Sequence, residues 1–295
     1  MMKYLLIISA LVVSNSGLFD QYDSKYVETS TVADKVDSYS LIKMSRKDDR
    51  VKVKYFAAKD FNGSSVVQRY KQWSKNKNII AYSSGTYMTS CDANFAKPVG
   101  ICIDNGVVVN NSISDNLDGL GIVYQTGGMV ASNIKEGNLT VKNIDGSSLK
   151  IDLRNAFQRS QFIDWAKENN ATVFQTHLFY YNNIIQVFPN GNKEKRERRF
   201  LAVAKDQNGI VCHYIVNIKS TNKAGYTIYD ATVKVTNFLK TYEDVSNIVF
   251  LINLDPGCQD VFEVKTEKGL VDQRPGFKGT VPIENSANLI VYYFE

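Results

Sequence analysis

Four things are missing from this sequence. It has no apolar run long enough to cross a bilayer, no C-x-x-C pair, no strong charge of either sign and no internal repeat. The apolar stretch Tyr4 to Val13 is about ten residues long, where a spanning helix needs about 20, so no stable membrane insertion is expected. Cys91, Cys102, Cys212 and Cys258 lack the paired spacing of a zinc ribbon. They could instead form disulfides; four cysteines allow three pairings, and Cys91 with Cys102 is nearest in sequence. Lys and Arg number 35 against 30 Asp and Glu, a formal charge of +5. The basic run Lys193 to Arg199 is interleaved with Glu194 and Glu197, which marks a solvated loop and argues against a nucleic-acid partner. Strands and helices do not alternate as in a βαβ array, which excludes a doubly wound parallel sheet.

What is present points to sheet. There are 17 Tyr and 15 Phe, residues that favour strands and, less often, sugar-binding surfaces. Lys3, the apolar stretch after it and Ser14-Asn15-Ser16-Gly17 have the form of an export signal over residues 1–16. An uncleaved amphipathic element is the alternative. Residues 17–48 are polar and without period; they are expected to be a flexible lead-in with one short element near Tyr39 to Met44.

Val51 to Phe56 alternates as a strand. Ser65 with Gln68 forms a capping box for a helix with Val66, Tyr70 and Trp73 on one face. A short strand, Ile79 to Tyr82, runs into Ser83-Ser84-Gly85-Thr86-Tyr87-Met88. Three hairpins follow, turning at Asn105-Gly106, Asp145-Gly146 and Asp206 to Gly209. The loop Asp115 to Gly119 has some calcium-site character but lacks the alternating ligands and final Glu, so no metal is expected. Phe162, Trp165 and Ala166 mark a short helix. Thr172 to Tyr181 reads as one strand, placing Gln175 and His177 on the same face. They either line a cleft or are satisfied by neighbours.

Gly225 to Val264 carries the most information. Thr227 with Asp230 starts a helix whose apolar face is Ile228, Ala231, Val235, Phe238 and Leu239. Ile248 to Ile252 reads as a strand buried on both faces. It ends at Asn253-Leu254-Asp255-Pro256-Gly257, where Asp255 is either a turn cap or a catalytic carboxylate. Leu289 to Phe294 is a last strand. The fold class is therefore α+β, an antiparallel or mixed β-sheet with several hairpins and a few packed helices.

The order of these segments resembles the phosphodiester glycosidase domain family. The matching stretches are Ala81 to Met88, Pro98 to Gly106, Phe174 to Leu178, Arg199 to Gly209 and Gly225 to Asp260. The resemblance assigns residues 49–295 to one such domain. It implies an exported hydrolase, periplasmic or secreted, that acts on a carbohydrate or sugar phosphate without a cofactor. It implies Asp255, His177 and Arg199 as catalytic residues, and Gln175, Ser84, Gly85, Arg198, Gly257 and Asp260 as substrate-binding ones. A non-catalytic glycan- or protein-binding member of the fold is the alternative. The motifs are altered: the family's Asn-Gly-Gly is Ser83-Ser84-Gly85, and its glycine-rich turn is Pro256 to Gln259. Pro256 removes a backbone donor.

Overall fold

The computed structural model describes residues 27–33, 37–57, 66–90, 97–220, 225–256, 260–266, 269–272 and 286–295. The architecture is α+β, and among the described residues all strand pairings are antiparallel. A seven-stranded sheet has the order Val27–Ala33, Asp37–Ser45, Val211–Ser220, Arg198–Asp206, Val245–Leu254, Leu178–Tyr181, Ile184–Ile185. A five-stranded sheet has the order Gly269–Asp272, Phe262–Thr266, Asn78–Ser84, Asn288–Phe294, Val51–Ala57. A smaller five-stranded sheet runs Val107–Asn110, Cys102–Asp104, Thr172–Thr176, Gly119–Val123, Met129–Asn133. Leu139–Lys142 and Ser148–Ile151 form a separate ribbon.

Strand alternation explains the layers. Leu201 and Val203 point into a core shared with Val53, Tyr55, Ile290 and Tyr292 of the first five-stranded sheet. Phe200, Ala202 and Ala204 point the other way, onto the helix Ile228–Tyr242. That helix buries Ala231, Val235, Phe238 and Leu239, and the Thr227 hydroxyl caps it by accepting from the Asp230 amide at 3.1 Å. The helix Val66–Ser74 covers the outer face of the five-stranded sheet, and Ala156–Glu168 covers the smaller one. Asn105 (φ 51°) and Gly106 (φ 79°) both have positive φ, as a two-residue hairpin turn requires.

Several expectations change. The region expected to be a flexible lead-in holds Val27–Ala33 and Asp37–Ser45, and the second of these pairs with Val211–Ser220. The single strand expected from Thr172 to Tyr181 breaks at His177. Thr172–Thr176 belongs to the smaller sheet and Leu178–Tyr181 to the seven-stranded one. Ile248 to Ile252 is buried on both faces as expected, Phe250 and Ile252 in one core and Ile248 and Leu251 in the other, except for Val249, which sits at a register shift and is 36% exposed. Cys102 and Cys212 are free and buried, which rules out the Cys91–Cys102 bridge. The proposed export signal, Cys91 and Cys258 lie outside the described residues.

His213 spans the main core. Its Nδ1 lies 3.1 Å from the Tyr292 hydroxyl of the opposing sheet. Burial, aided by the charge of Arg46, pushes its pKa down to about 3. The unfolded chain therefore binds a proton near pH 6.5 that the folded chain refuses. The stability this gives is present above about pH 6.5 and is lost as pH falls towards about 3. Urea titrations at pH 7 and 5 should show the native protein losing about 2 kcal/mol more than a His213→Gln variant. Equal losses would mean that His213 accepts its proton in the folded state.

Candidate active site

Two turns meet at the end of the main core. Asn78–Ser84 runs into Gly85, Thr86 and Tyr87. A Cβ at Gly85 would lie 2.3 Å from Asn288 Oδ1 and 2.8 Å from the Tyr55 ring, so only glycine fits without a shift. Asn288 accepts from the Thr86 amide at 2.7 Å and donates to its carbonyl at 3.0 Å. The Tyr55 and Thr86 hydroxyls are 3.1 Å apart. The Asp255 amide then donates to the Gly85 carbonyl at 2.8 Å, which fixes the start of the second turn against the first.

Tyr87 is the residue around which the candidates gather. Its ring meets His177 edge-on, with centroids 5.3 Å apart. Burial raises the pKa of its hydroxyl, and the Asp255 charge raises it further; Arg198, Arg196 and Asn253 act in the opposite direction. Arg198 is held by the carbonyls of Glu194 (2.7 Å) and Tyr226 (3.3 Å). Burial lowers its pKa, while Tyr87 and Asp255 are among the groups that oppose the shift. His177 Nδ1 lies 3.9 Å from Asp118 Oδ1, and its side chain is 31% exposed. The same Asp118 oxygen accepts from the Leu178 amide at 2.9 Å. Burial pushes the Asp118 carboxyl up, but His177 and that amide outweigh it, so its pKa lies below the ordinary value. Tyr87 thus touches His177 and feels the opposing charges of Asp255 and Arg198, and a carboxylate faces the His177 ring.

Arg199 does not join them. Adjacent strand residues face opposite ways, and Arg199 points into the main core with no exposed surface. It forms an ion pair with Asp260 at 2.7 Å, both side chains fully buried. It also donates to the Val261 carbonyl (2.8 Å), Ser84 (3.1 Å), Ser83 (3.4 Å) and Asn217 (3.1 Å). Asn217 in turn donates to Glu197, whose pKa burial raises. Ser84 and Asp260 are thus internal partners of Arg199, and all three are buried. Gln175 is also fully buried. Its Oε1 accepts from the Ile101 and Ser114 amides, and its Nε2 donates to the Ser114 and Leu117 carbonyls. The parity that paired it with His177 fails because the chain changes sheet between them. Gly257 lies outside the described residues.

Two site residues escaped the sequence reading. Tyr87 stands in the quoted Ser83 to Met88 segment but has no neighbour there to mark it. Asp118 belongs to the loop with calcium character; the structure gives it a histidine and an amide instead. Among the described residues no group of three or more His, Cys, Asp or Glu could hold a metal. A groove of about 640 Å³ lies elsewhere, beside the start of the helix Ala156–Glu168, lined by Asn111, Asp115, Arg154 and Arg159 among others.

Removing one partner of a buried ion pair leaves an uncompensated charge and costs about 3–5 kcal/mol. Arg199→Met should lower folding stability by that amount in urea denaturation. A loss under 1 kcal/mol would mean that Asp260 finds another partner or that the pair is hydrated.

No protein-family model and no curated protein matches the sequence. Solved structures with a similar course of chain include the zebrafish N-acetylglucosamine-1-phosphodiester alpha-N-acetylglucosaminidase catalytic domain, auto-inhibited by its pro-peptide. The identity is 14%, over 91% of this chain and 82% of that one, with a TM-score of 0.49. A hypothetical protein from Synechocystis is 9% identical over 92% of this chain and 62% of its own, with a TM-score of 0.49. A protein from Burkholderia pseudomallei K96243, described as exported, is 9% identical over 90% of this chain and 74% of its own, with a TM-score of 0.45. Identities of this size transfer no residue role.

Proposed function

We propose that this chain is an exported hydrolase of a sugar phosphodiester or a related glycosidic linkage. The observation that carries the reading is the edge-on contact of the part-exposed His177 with Tyr87 at a junction of two turns, with Asp118 facing the histidine and the charges of Asp255 and Arg198 acting on the Tyr87 hydroxyl. The order of motifs along the chain and the signal-like residues 1–16 agree with it. Among the described residues no helix is long and apolar enough to cross a membrane.

The chemistry follows from the groups present. Cleavage breaks the bond from the anomeric carbon to the phosphate oxygen, and the electron pair leaves with the phosphate. Positive charge grows on the sugar ring, and a carboxylate such as Asp255 stabilises it. Arg198 offsets the negative charge of the departing phosphate. Water adds to the anomeric carbon and gives its proton to His177, whose ring faces the Asp118 carboxylate. Tyr87 keeps its proton near neutral pH and can donate a hydrogen bond.

A second reading is binding without turnover. Two observations favour it: Arg199, the other candidate cation, is fully committed to Asp260, and Pro256 supplies no amide to the turn. Incubating the purified protein with a panel of sugar-1-phosphodiesters separates the two. Product release is expected, reduced about 10²-fold or more in Asp255→Ala and His177→Gln with the urea midpoint unchanged. Turnover unaffected by both substitutions would remove these residues from the mechanism. Saturable binding without product would favour the second reading.

A further inference from the structure

A second, separate cavity lies where three elements meet: the edge strand Val51–Ala57, the helix Val66–Ser74 and the hairpin built on Cys102–Asp104. It measures about 310 Å³, room for a sugar-sized molecule, and its walls combine apolar and charged groups. Phe56 and Trp73 supply aromatic surface, their rings edge-on with centroids 5.3 Å apart. Lys54 Nζ sits 5.2 Å from the Phe56 centroid. Asp104 is only 7% exposed. Its Oδ2 accepts from the Ala57 amide (3.2 Å) and from Arg69 (3.3 Å), while Arg69 also holds the Ala57 carbonyl. Among the described residues nothing donates to Asp104 Oδ1.

We propose that this cavity binds an acidic, sugar-sized molecule. Hydroxyls of the ligand would donate to Asp104 Oδ1, its anionic group would meet Lys54 and Arg69, and its ring would lie against Trp73. The arrangement has the parts such recognition requires. A carboxylate oxygen accepts from hydroxyls, a planar cation and an ammonium hold an anion, and an aromatic face covers carbon-bound hydrogens. Lys54 and Arg69 against Asp104 leave one net positive charge, which selects an anion over a neutral sugar. Burial raises the Asp104 carboxyl and lowers the Lys54 ammonium, so both groups gain from a bound partner of opposite character. Arg69 and Asp104 already fix Ala57, so the site is formed before any ligand arrives. The inference does not depend on the hydrolytic reading, because none of Asp255, His177 and Tyr87 lines this cavity.

Calorimetric titration of the full chain with glucuronate, glucose 6-phosphate and glucose tests it. One or both of the acidic sugars should bind, and which one does tells a carboxylate from a phosphate as the preferred group. Affinity should fall at least tenfold in Asp104→Asn and in Lys54→Gln and stay unchanged in Asp255→Ala. Lys54→Gln disturbs none of the bonds that hold Ala57, so its result stands even if Asp104→Asn folds poorly. The proposal is overturned if neither acidic sugar binds at millimolar concentration. It is equally overturned if Lys54→Gln binds as the native protein does, or if glucose binds as tightly as the acids.

Discussion

The buried pair of Arg199 and Asp260 is the constraint on which the site depends. A guanidinium with no exposed surface is tolerable only when its donors are satisfied. Here an aspartate, a carbonyl, two serines and an asparagine take them, and the Phe262 ring lies 5.1 Å away. These partners come from different sheets, so the pair locks the seven-stranded sheet to the end of Asn78–Ser84 and to the residues after the Asp255 turn. It also sets the direction of its neighbour. With Arg199 turned inward, strand geometry sends Arg198 to the opposite face, where Tyr87 and Asp255 influence its charge.

Apart from Arg198, which opens the strand Arg198–Asp206, each candidate site residue sits where the backbone leaves a sheet. Tyr87 follows the end of Asn78–Ser84, Asp118 precedes Gly119–Val123, Asp255 follows Val245–Leu254, and His177 lies between two strands. The His177 crossing is stitched on both sides. The Asn253 amide donates to the His177 carbonyl at 3.0 Å, and the Thr176 hydroxyl donates to the Asn253 carbonyl at 2.9 Å. A scaffold of strands thus presents side chains from short, irregular segments, a common division of labour in enzymes and binding proteins.

Local signals in the sequence were reliable where local physics decides the outcome. Asn105-Gly106 demands positive φ at both residues and turns as expected. Thr227 and Asp230 cap a helix using atoms three residues apart. Distant partners were not legible. Nothing in Thr172 to Tyr181 reveals that its halves pair with Gly119–Val123 and with Val245–Leu254. Gln175 looked like a cleft residue because the loop that satisfies it lies far away in sequence. Val27–Ala33 buries only Val27 and Val32, too sparse a pattern to announce a strand, and its partner supplies the order. The resemblance singled out both Arg198 and Arg199, but which of the two is sealed in the main core depends on side-chain direction.

The strand Asn288–Phe294 lies between Val51–Ala57 and Asn78–Ser84 and pairs with both. Those two flanking strands leave the ribosome early, and the one that joins them leaves some two hundred residues later. Until then they have no direct partner in each other, and Ile290 and Tyr292 are missing from the core that Val53, Tyr55 and Ile80 share. Asn288 arrives with the same strand, so the turn at Thr86 also waits for it. Such late, long-range closure is slow and prone to aggregation. The sheet and the turn at Thr86 are therefore completed together, by the last strand to be made.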